Sequence, residues 1–277
     1  LNKSKKYSLK VISKRLQKLL GKKVKFIPDS IEIESINPGE IVLLENIRFY
    51  KEEENNNKEF AKKLAKLGDI FINDAFSVCH REHASIVGIP KYLPSGAGFL
   101  LEKEIKSLTS LLKSNKKPFI VIIGGKKVET KIKFIDKISK IADLILIGGL
   151  IARELKSKNI ALKYPKKVIF PIDEINNGLD IGKETINLFK KEILDAQTIF
   201  WSGVFGKIED RRFTKGSAEI AKAIVKKNIL SVAGGGETVE FIRKMKLEKK
   251  FNHLSTGGGA MLKFLSGEEL PGIKALK

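Results

Sequence analysis

Five glycine clusters are the residues whose type and spacing could do chemistry together: Gly124-Gly125, Gly148-Gly149, Gly203 with Gly206, Gly234-Gly235-Gly236 and Gly257-Gly258-Gly259. Each follows an apolar run of strand length and precedes a helical pattern or a loop. Glycine lets the backbone approach a ligand closely, and a following helix offers free N–H groups to phosphate. One such turn means little, since glycine often serves only to make a tight bend. Five at equivalent strand ends point to a shared rim for a polyphosphate. Lys127 and Lys131 follow the first pair at i, i+4, so on a helix they share a face and both reach toward phosphate. In a chain with 46 lysines, that spacing alone does not separate a site from a solvated surface. His80 and His83, beside Cys79, form an H-x-x-H pair that suggests zinc. No second ligand pair exists and His253 is the one other histidine, so zinc is not expected. The phosphate motif G-x-x-x-x-G-K-S/T is absent, and Gly234–Val239 lacks the last glycine of G-x-G-x-x-G. Protein-kinase HRD and DFG signatures are absent as well.

The elements that must position these residues alternate. Short β-branched or aromatic runs at 119–123, 144–147, 168–170, 198–201 and 229–232 are separated by helical patterns, among them 131–141, 183–194 and 215–226. Alternating β and α implies a parallel sheet covered by helices, with ligands beyond the carboxyl ends of its strands. The first hundred residues show the same grammar. Ser8 is placed to cap a helix whose apolar face is Leu9, Ile12, Leu16, Leu19 and Leu20, and Gly21 to end it. Strands are expected at 23–27, 41–44 and 70–72, and a helix at 58–67. A periodic apolar helix over 99–113, followed by the break Ser114-Asn115-Lys116-Lys117-Pro118, marks the boundary between two domains.

Bulk composition agrees. The chain has 277 residues, 42% of them hydrophobic, and no apolar run of membrane-spanning length. The basic N-terminus is not followed by a signal-peptide core, and one cysteine makes no disulfide framework. A cytoplasmic protein is expected. The net charge of +21 raises the question of nucleic-acid binding, but 46 lysines against 7 arginines, spread along the whole chain, read as compositional bias rather than a clustered patch. No nucleic-acid and no membrane partner is expected.

Longer motifs are more specific. Leu43-Leu44-Glu45-Asn46-Ile47-Arg48-Phe49, Asn73-Asp74-Ala75-Phe76 with His80-Arg81-Glu82-His83-Ala84-Ser85, and Ala97-Gly98-Phe99-Leu100-Leu101-Glu102-Lys103-Glu104 resemble the LLEN-x-R-F/Y, NDAF…HR-x-HAS and AGFL-x-EKE segments of phosphoglycerate kinases. So do Gly124-Gly125-Lys126-Lys127-Val128-Glu129-Thr130-Lys131, Trp201-Ser202-Gly203, Gly234–Thr238, Ser255-Thr256-Gly257-Gly258-Gly259-Ala260 and Glu269-Leu270-Pro271-Gly272. They occur in the family's order and span nearly the whole chain.

The resemblance implies an α/β fold of two parallel-sheet, Rossmann-like domains. Residues 1–99 would be a partial N-terminal domain for 3-phosphoglycerate, 100–117 a hinge helix and 118–264 the nucleotide-binding domain. Residues 265–277 would be a tail returning to the N-domain. It implies a kinase that moves a phosphoryl group between 1,3-bisphosphoglycerate and ADP, using Mg²⁺ with ATP or ADP, and working as a monomer. Arg48 and Arg81 match arginines that contact the triose phosphate, with His80 beside them; an arginine fork suits phosphate and carboxylate oxygens. Lys127 matches the lysine that neutralises the transferring group, and Lys131 the one that contacts nucleotide phosphate. Gly124, Gly149, Gly235, Gly236 and Thr238 match nucleotide-site positions. Glu209 matches the glutamate that holds the ribose hydroxyls, with an uncertainty of one residue against Asp210. Glu237 stands where the family has the Mg²⁺-associated aspartate.

The match also fails in places. The family's opening strand RVDFNVP and its S-H-x-GRP loop are not found, so the N-domain is expected to be incomplete. Leu150 replaces the third glycine on the adenine side, Arg153-Glu154-Leu155 replaces polar and aromatic positions, Ser202 replaces an asparagine, and Val204-Phe205 replaces a proline-containing pair. The stretch 156–183 is shorter than the family's. A non-catalytic nucleotide-binding relic is therefore the alternative to an active kinase.

Overall fold

Runs such as Phe119–Ile123, apolar at every position, and Ile199–Trp201 can be satisfied only where both faces are covered. The computed structural model, which describes residues 5–29, 36–125 and 128–276, uses them as the centre of a six-stranded sheet. The chain divides into two units: residues 1–99 with 270–277, and residues 100–269.

In the first unit, β1 (Val24–Ile27) pairs in parallel with β2 (Ile41–Leu44), and β3 (Phe71–Asn73) with β4 (Ser95–Ala97). The strand expected at 70–72 runs one residue later because the Phe71 N–H is taken by the Pro94 carbonyl at 2.9 Å. Helices α1 (Lys10–Leu20), α2 (Lys51–Glu54) and α3 (Lys58–Ala65) complete the unit's front. Asn57 caps α3 by accepting from the Phe60 N–H at 3.0 Å, and α3 buries Phe60, Ala61, Leu64 and Ala65 against Ala84 and Ile89.

Helix α1 departs from expectation in two ways. Leu9, not Ser8, holds the N-cap position. The Ser8 hydroxyl oxygen still accepts from the Lys10 N–H at 3.2 Å, and the buried Glu45 carboxylate accepts from the Leu9 N–H at 2.7 Å and the Ser8 hydroxyl at 2.6 Å. A carboxylate near a helix N-terminus is favourable, and here it acts together with the hydroxyl. The apolar face is also open, with Ile12 49% and Leu19 67% exposed, as are Ile70 and Ile72 near β3. Periodicity shows that a helix has a face to cover, not that the cover is there.

Residues 270–277 close this unit. Leu270 is buried, Pro271 starts the short helix Pro271–Lys274, and the Gly272 N–H donates to the Cys79 carbonyl at 2.8 Å. A Cβ at Gly272 would lie 2.7 Å from Ile86 Cγ2 and 2.9 Å from Cys79 Cα. Gly272→Ala is therefore expected to destabilise the first unit by about 1–3 kcal/mol, the usual cost of overpacking. Faster amide exchange around Cys79 and Ile86, with the second unit unchanged, is the expected readout.

The second unit begins with α4 (Phe99–Leu112), which buries Leu101, Glu104, Leu108 and Leu111. Its six-stranded sheet runs β12-β11-β10-β5-β6-β7, every pair parallel. The strands are β5 (Phe119–Ile123), β6 (Leu144–Ile147), β7 (Val168–Ile169), β10 (Thr198–Ser202), β11 (Leu230–Gly234) and β12 (His253–Ser255). A two-stranded antiparallel hairpin, β8 (Glu174–Ile175) and β9 (Asp180–Ile181), stands apart. The connecting helices are α5 (Val128–Ile138), α6 (Gly149–Ser157), α7 (Lys183–Asp195), α8 (Lys215–Val225), α9 (Gly236–Lys244) and α10 (Gly259–Leu265).

Alternation along the strands divides the core. Ile120, Ile122, Leu146, Ile199, Trp201 and Ala233 share one face with Ile186 and Phe189 of α7, Ile220 and Ile224 of α8, and Phe241 and Ile242 of α9. On the other face Phe200 meets Phe134 of α5 edge-on, their centroids 5.7 Å apart. Each such fully buried side chain contributes about 1.5–3 kcal/mol, so the sheet is a rigid base for whatever sits on its edge.

Candidate active site

Because the six strands are parallel, their carboxyl ends share one edge, and all five glycine clusters lie along it. The connections leave in opposite senses from β5 and β10 at its middle. That switch point is where open α/β sheets bind ligands. Here the turns after the two strands interlock. The Gly124 N–H donates to the Ser202 carbonyl at 3.1 Å, and a Cβ on either Gly124 or Gly203 would collide with the backbone of the other turn. Gly203 has φ of 95°. Gly203→Ala is therefore expected to cost about 3 kcal/mol or more, combining left-handed strain with overpacking. Gly236→Ala, which would meet nothing within 4 Å, should change the urea midpoint little.

Lys131, on the first turns of α5, is buried. Its ammonium donates to the Gly124 carbonyl and, at 3.2 Å, to the Ser202 carbonyl. Burial pushes its pKa down to about 8, against a smaller pull upward from the Glu237 carboxylate. This is a cation held at the centre of the glycine rim by two neutral acceptors, a poor solvation shell for a full charge, so an anion nearby would relieve it. Lys127 lies outside the described residues.

Beside Lys131 opens a cavity of about 210 Å³, lined by Gly125, Leu150, Gly178, Leu179, Val204, Phe205, Lys207, Glu209 and Glu237 among others. Gly149 sits at the start of α6 with φ of 65°, where a side chain would strike the Phe205 carbonyl. Phe205 thus packs on the Gly148-Gly149 backbone and walls the cavity. Gly235, with φ of 98°, and Gly236 start α9. The following Glu237 carboxylate is exposed at the cavity mouth, and buried Thr238 accepts from the Gly203 N–H at 2.8 Å. Glu209 lines the cavity. Asp210 instead accepts from the Arg212 N–H at 3.1 Å and pairs with its guanidinium at 2.6 Å.

Two features of this unit escaped sequence reasoning. Gly178 and Leu179, at the tip of the β8–β9 hairpin, form a cavity wall; the Asn176-Asn177-Gly178 turn was the available signal. Glu104 on α4 is buried, accepts from the Thr256 N–H at 2.8 Å and lies 2.8 Å from His253 Nε2. It ties α4 to β12 and to the Ser255–Gly259 turn of the rim.

In the first unit, Arg48 is half-buried after β2, and Arg81 is exposed, next to half-buried His80. Burial lowers the pKa of His83, and the positive charges of Arg48 and Arg81 lower it further, while Glu53 opposes. Buried Glu53 anchors the segment, accepting from the Ser85 N–H at 2.9 Å and the Ser85 hydroxyl at 2.6 Å. Among the described residues, no three His, Cys, Asp or Glu side chains converge to hold a metal. No helix there is long and apolar enough to cross a membrane.

A rim of glycine turns on a parallel sheet, with a buried lysine at its centre and a cavity holding two carboxylates beside it, places this unit among the open α/β sheets built to bind a ligand at their strand ends. The comparisons sharpen that class. The phosphoglycerate kinase family model matches residues 1–169 and 155–268. The phosphoglycerate kinase of Borreliella burgdorferi is 40% identical over 325 residues, covering 99% of this chain and 83% of that protein, and that of Dictyoglomus turgidum is 41% identical, covering 96% and 80%. The phosphoglycerate kinase structures from Coxiella burnetii and Pyrococcus horikoshii superpose with TM-scores of 0.80 and 0.84, each at 32% identity, covering 99% and 97% of this chain and 82% of each of theirs. The chain belongs to the phosphoglycerate kinase family, and it is a phosphotransferase.

The first of these alignments spans 325 residues while the chain has 277, so at least 48 positions of the relative have no counterpart within the matched span. The split of the family match around 155–169 places a discontinuity just after α6.

Proposed function

We propose that the chain transfers a phosphoryl group reversibly between 1,3-bisphosphoglycerate and ADP, giving 3-phosphoglycerate and ATP, as a cytoplasmic, monomeric enzyme of glycolysis and gluconeogenesis. The observation that carries this reading is the buried Lys131 ammonium at the switch point of the sheet, held between the Gly124 and Ser202 carbonyls behind Gly125, which lines the cavity. Phosphoryl transfer needs little covalent chemistry from the protein. It needs oxygens held in line and their charge balanced.

In this reading the apolar walls at Leu150, Gly178 and Leu179 take the adenine base, and Glu209 accepts from the ribose hydroxyls. The backbone at Gly124, Gly149, Gly235 and Gly236, with Thr238, faces the phosphates, and Lys131 and Lys127 balance the charge on the transferring group. Arg48, Arg81 and His80 take the triose phosphate and carboxylate. Mg²⁺ is held by few protein ligands and shares its shell with water and phosphate, so a lone exposed carboxylate at the cavity mouth fits it. Glu237 would hold the ion, which would screen phosphate charge.

Isothermal titration of the chain with MgADP, then with 3-phosphoglycerate, alongside a coupled turnover assay, tests the reading. Saturable binding of both with turnover is expected. A folded sample that binds neither would favour a relic.

A further inference from the structure

The cavity has one tie that belongs to this chain's own departures from its family. Helix α6 supplies Leu150 to one wall, and the β8–β9 tip supplies Gly178 and Leu179 to another. Arg153, one turn beyond Leu150, reaches from the helix to the tip. Its Nη1 donates to the Asn177 carbonyl, and its Nε lies 3.9 Å from the Glu174 carboxylate. Its methylenes lie against Gly178, where a Cβ would collide with Arg153 Cδ.

The tip needs holding. Asn176, Asn177 and Gly178 have φ of 44°, 57° and 83°, three successive residues in the left-handed region, which asparagine and glycine tolerate but do not favour over other conformations. The strands on either side pair over two residues each. Two backbone bonds secure the far side, Leu179 N–H to the Ile175 carbonyl and Lys207 N–H to the Leu179 carbonyl, both 3.0 Å. On the α6 side, Arg153 holds the tip itself, while Lys156 Nζ donates to the Pro171 carbonyl at 3.3 Å, before the first strand of the hairpin.

We propose that Arg153 is a positioning residue that sets the width of the base slot, by fixing the hairpin tip against the helix that carries the opposite wall. The proposal rests on reading the cavity as the nucleotide site. Arginine suits the task because its planar fork meets a carbonyl and a carboxylate at once while its stem packs on the Gly178 backbone.

The test compares Arg153→Ala and Arg153→Lys with the unaltered chain, using MgADP and inorganic pyrophosphate as probes. Arg153→Ala is expected to weaken MgADP binding about tenfold, the scale of one charge-assisted hydrogen bond, and to leave pyrophosphate binding unchanged. The KM for nucleotide should rise by the same factor with kcat unchanged, and Arg153→Lys should recover part of the loss. Amide exchange at Leu179 and Lys207 should quicken in the free variant while Ile122 stays protected. MgADP binding within twofold of the unaltered chain, or equal losses for MgADP and pyrophosphate, would overturn the proposal. If the unaltered chain bound no MgADP, the nucleotide-site reading would fall instead, and unchanged exchange at Leu179 and Lys207 would still count against Arg153 as the tie.

Discussion

Lys131→Met is expected to lower kcat/KM for nucleotide by about 10²–10³-fold, the scale for removing one preorganised donor from a site of developing charge. Stability should fall little. The native state holds this ammonium against burial, and an apolar side chain of similar length removes that penalty. Activity within threefold of the unaltered chain would exclude Lys131 from the phosphate site. The pKa of about 8 adds a second signature. As pH rises through 8 the native lysine loses its charge, so kcat/KM, which reports the free enzyme, should bend downward there. Lys131→Arg should move that limb to higher pH. Stability runs the other way. Between about 8 and the ordinary lysine value of 10.5 the unfolded chain holds a proton that the native state has lost, so stability rises with pH across that window.

Glu104→Ala should destabilise the second unit by about 2–4 kcal/mol. It leaves buried His253 Nε2 without its carboxylate, at about 1–3 kcal/mol for an orphaned buried group, and removes the bonds to the N–H and hydroxyl of exposed Thr256, which water can replace in part. Burial alone would raise the Glu104 pKa, but hydrogen bonds from His253, Ser255 and Thr256 outweigh it and the net shift is downward. Its contribution is thus complete above the ordinary value of 4.5 and is lost as pH falls through the lower native value. Thermal unfolding followed from pH 7 into the acid range should show a gentler acid decline in the variant than in the unaltered chain. Equal acid slopes would remove Glu104 from that account.

The frame of the second unit was legible because its signals are local. Strands such as Phe119–Ile123 and Leu144–Ile147 are apolar throughout, the helices between them are amphipathic, and glycine follows five of the six strands of the main sheet. The family motifs pointed to Glu209 and Glu237, both of which line the cavity. What stayed hidden depends on distant partners. Glu45 supports the start of α1 from 36 residues away, which nothing near Ser8 in the sequence announces. Strands of two residues, as in β8 and β9, carry no period to read. Arg153 looked like an anomaly in a helix because its partner carbonyl belongs to a turn 24 residues on. Buried polar ties of this kind leave no trace in hydrophobic periodicity.

The closing of the first unit by residues 270–277 bears on how the protein is made. Cys79 leaves the ribosome long before the Gly272 amide that its carbonyl accepts, and the whole second unit is synthesised in between. The second unit, contiguous in sequence, can fold as it emerges. The first must wait with its apolar surfaces only partly packed until the last residues arrive. A chain stalled after residue 269 should therefore present a native second unit and a protease-sensitive first one.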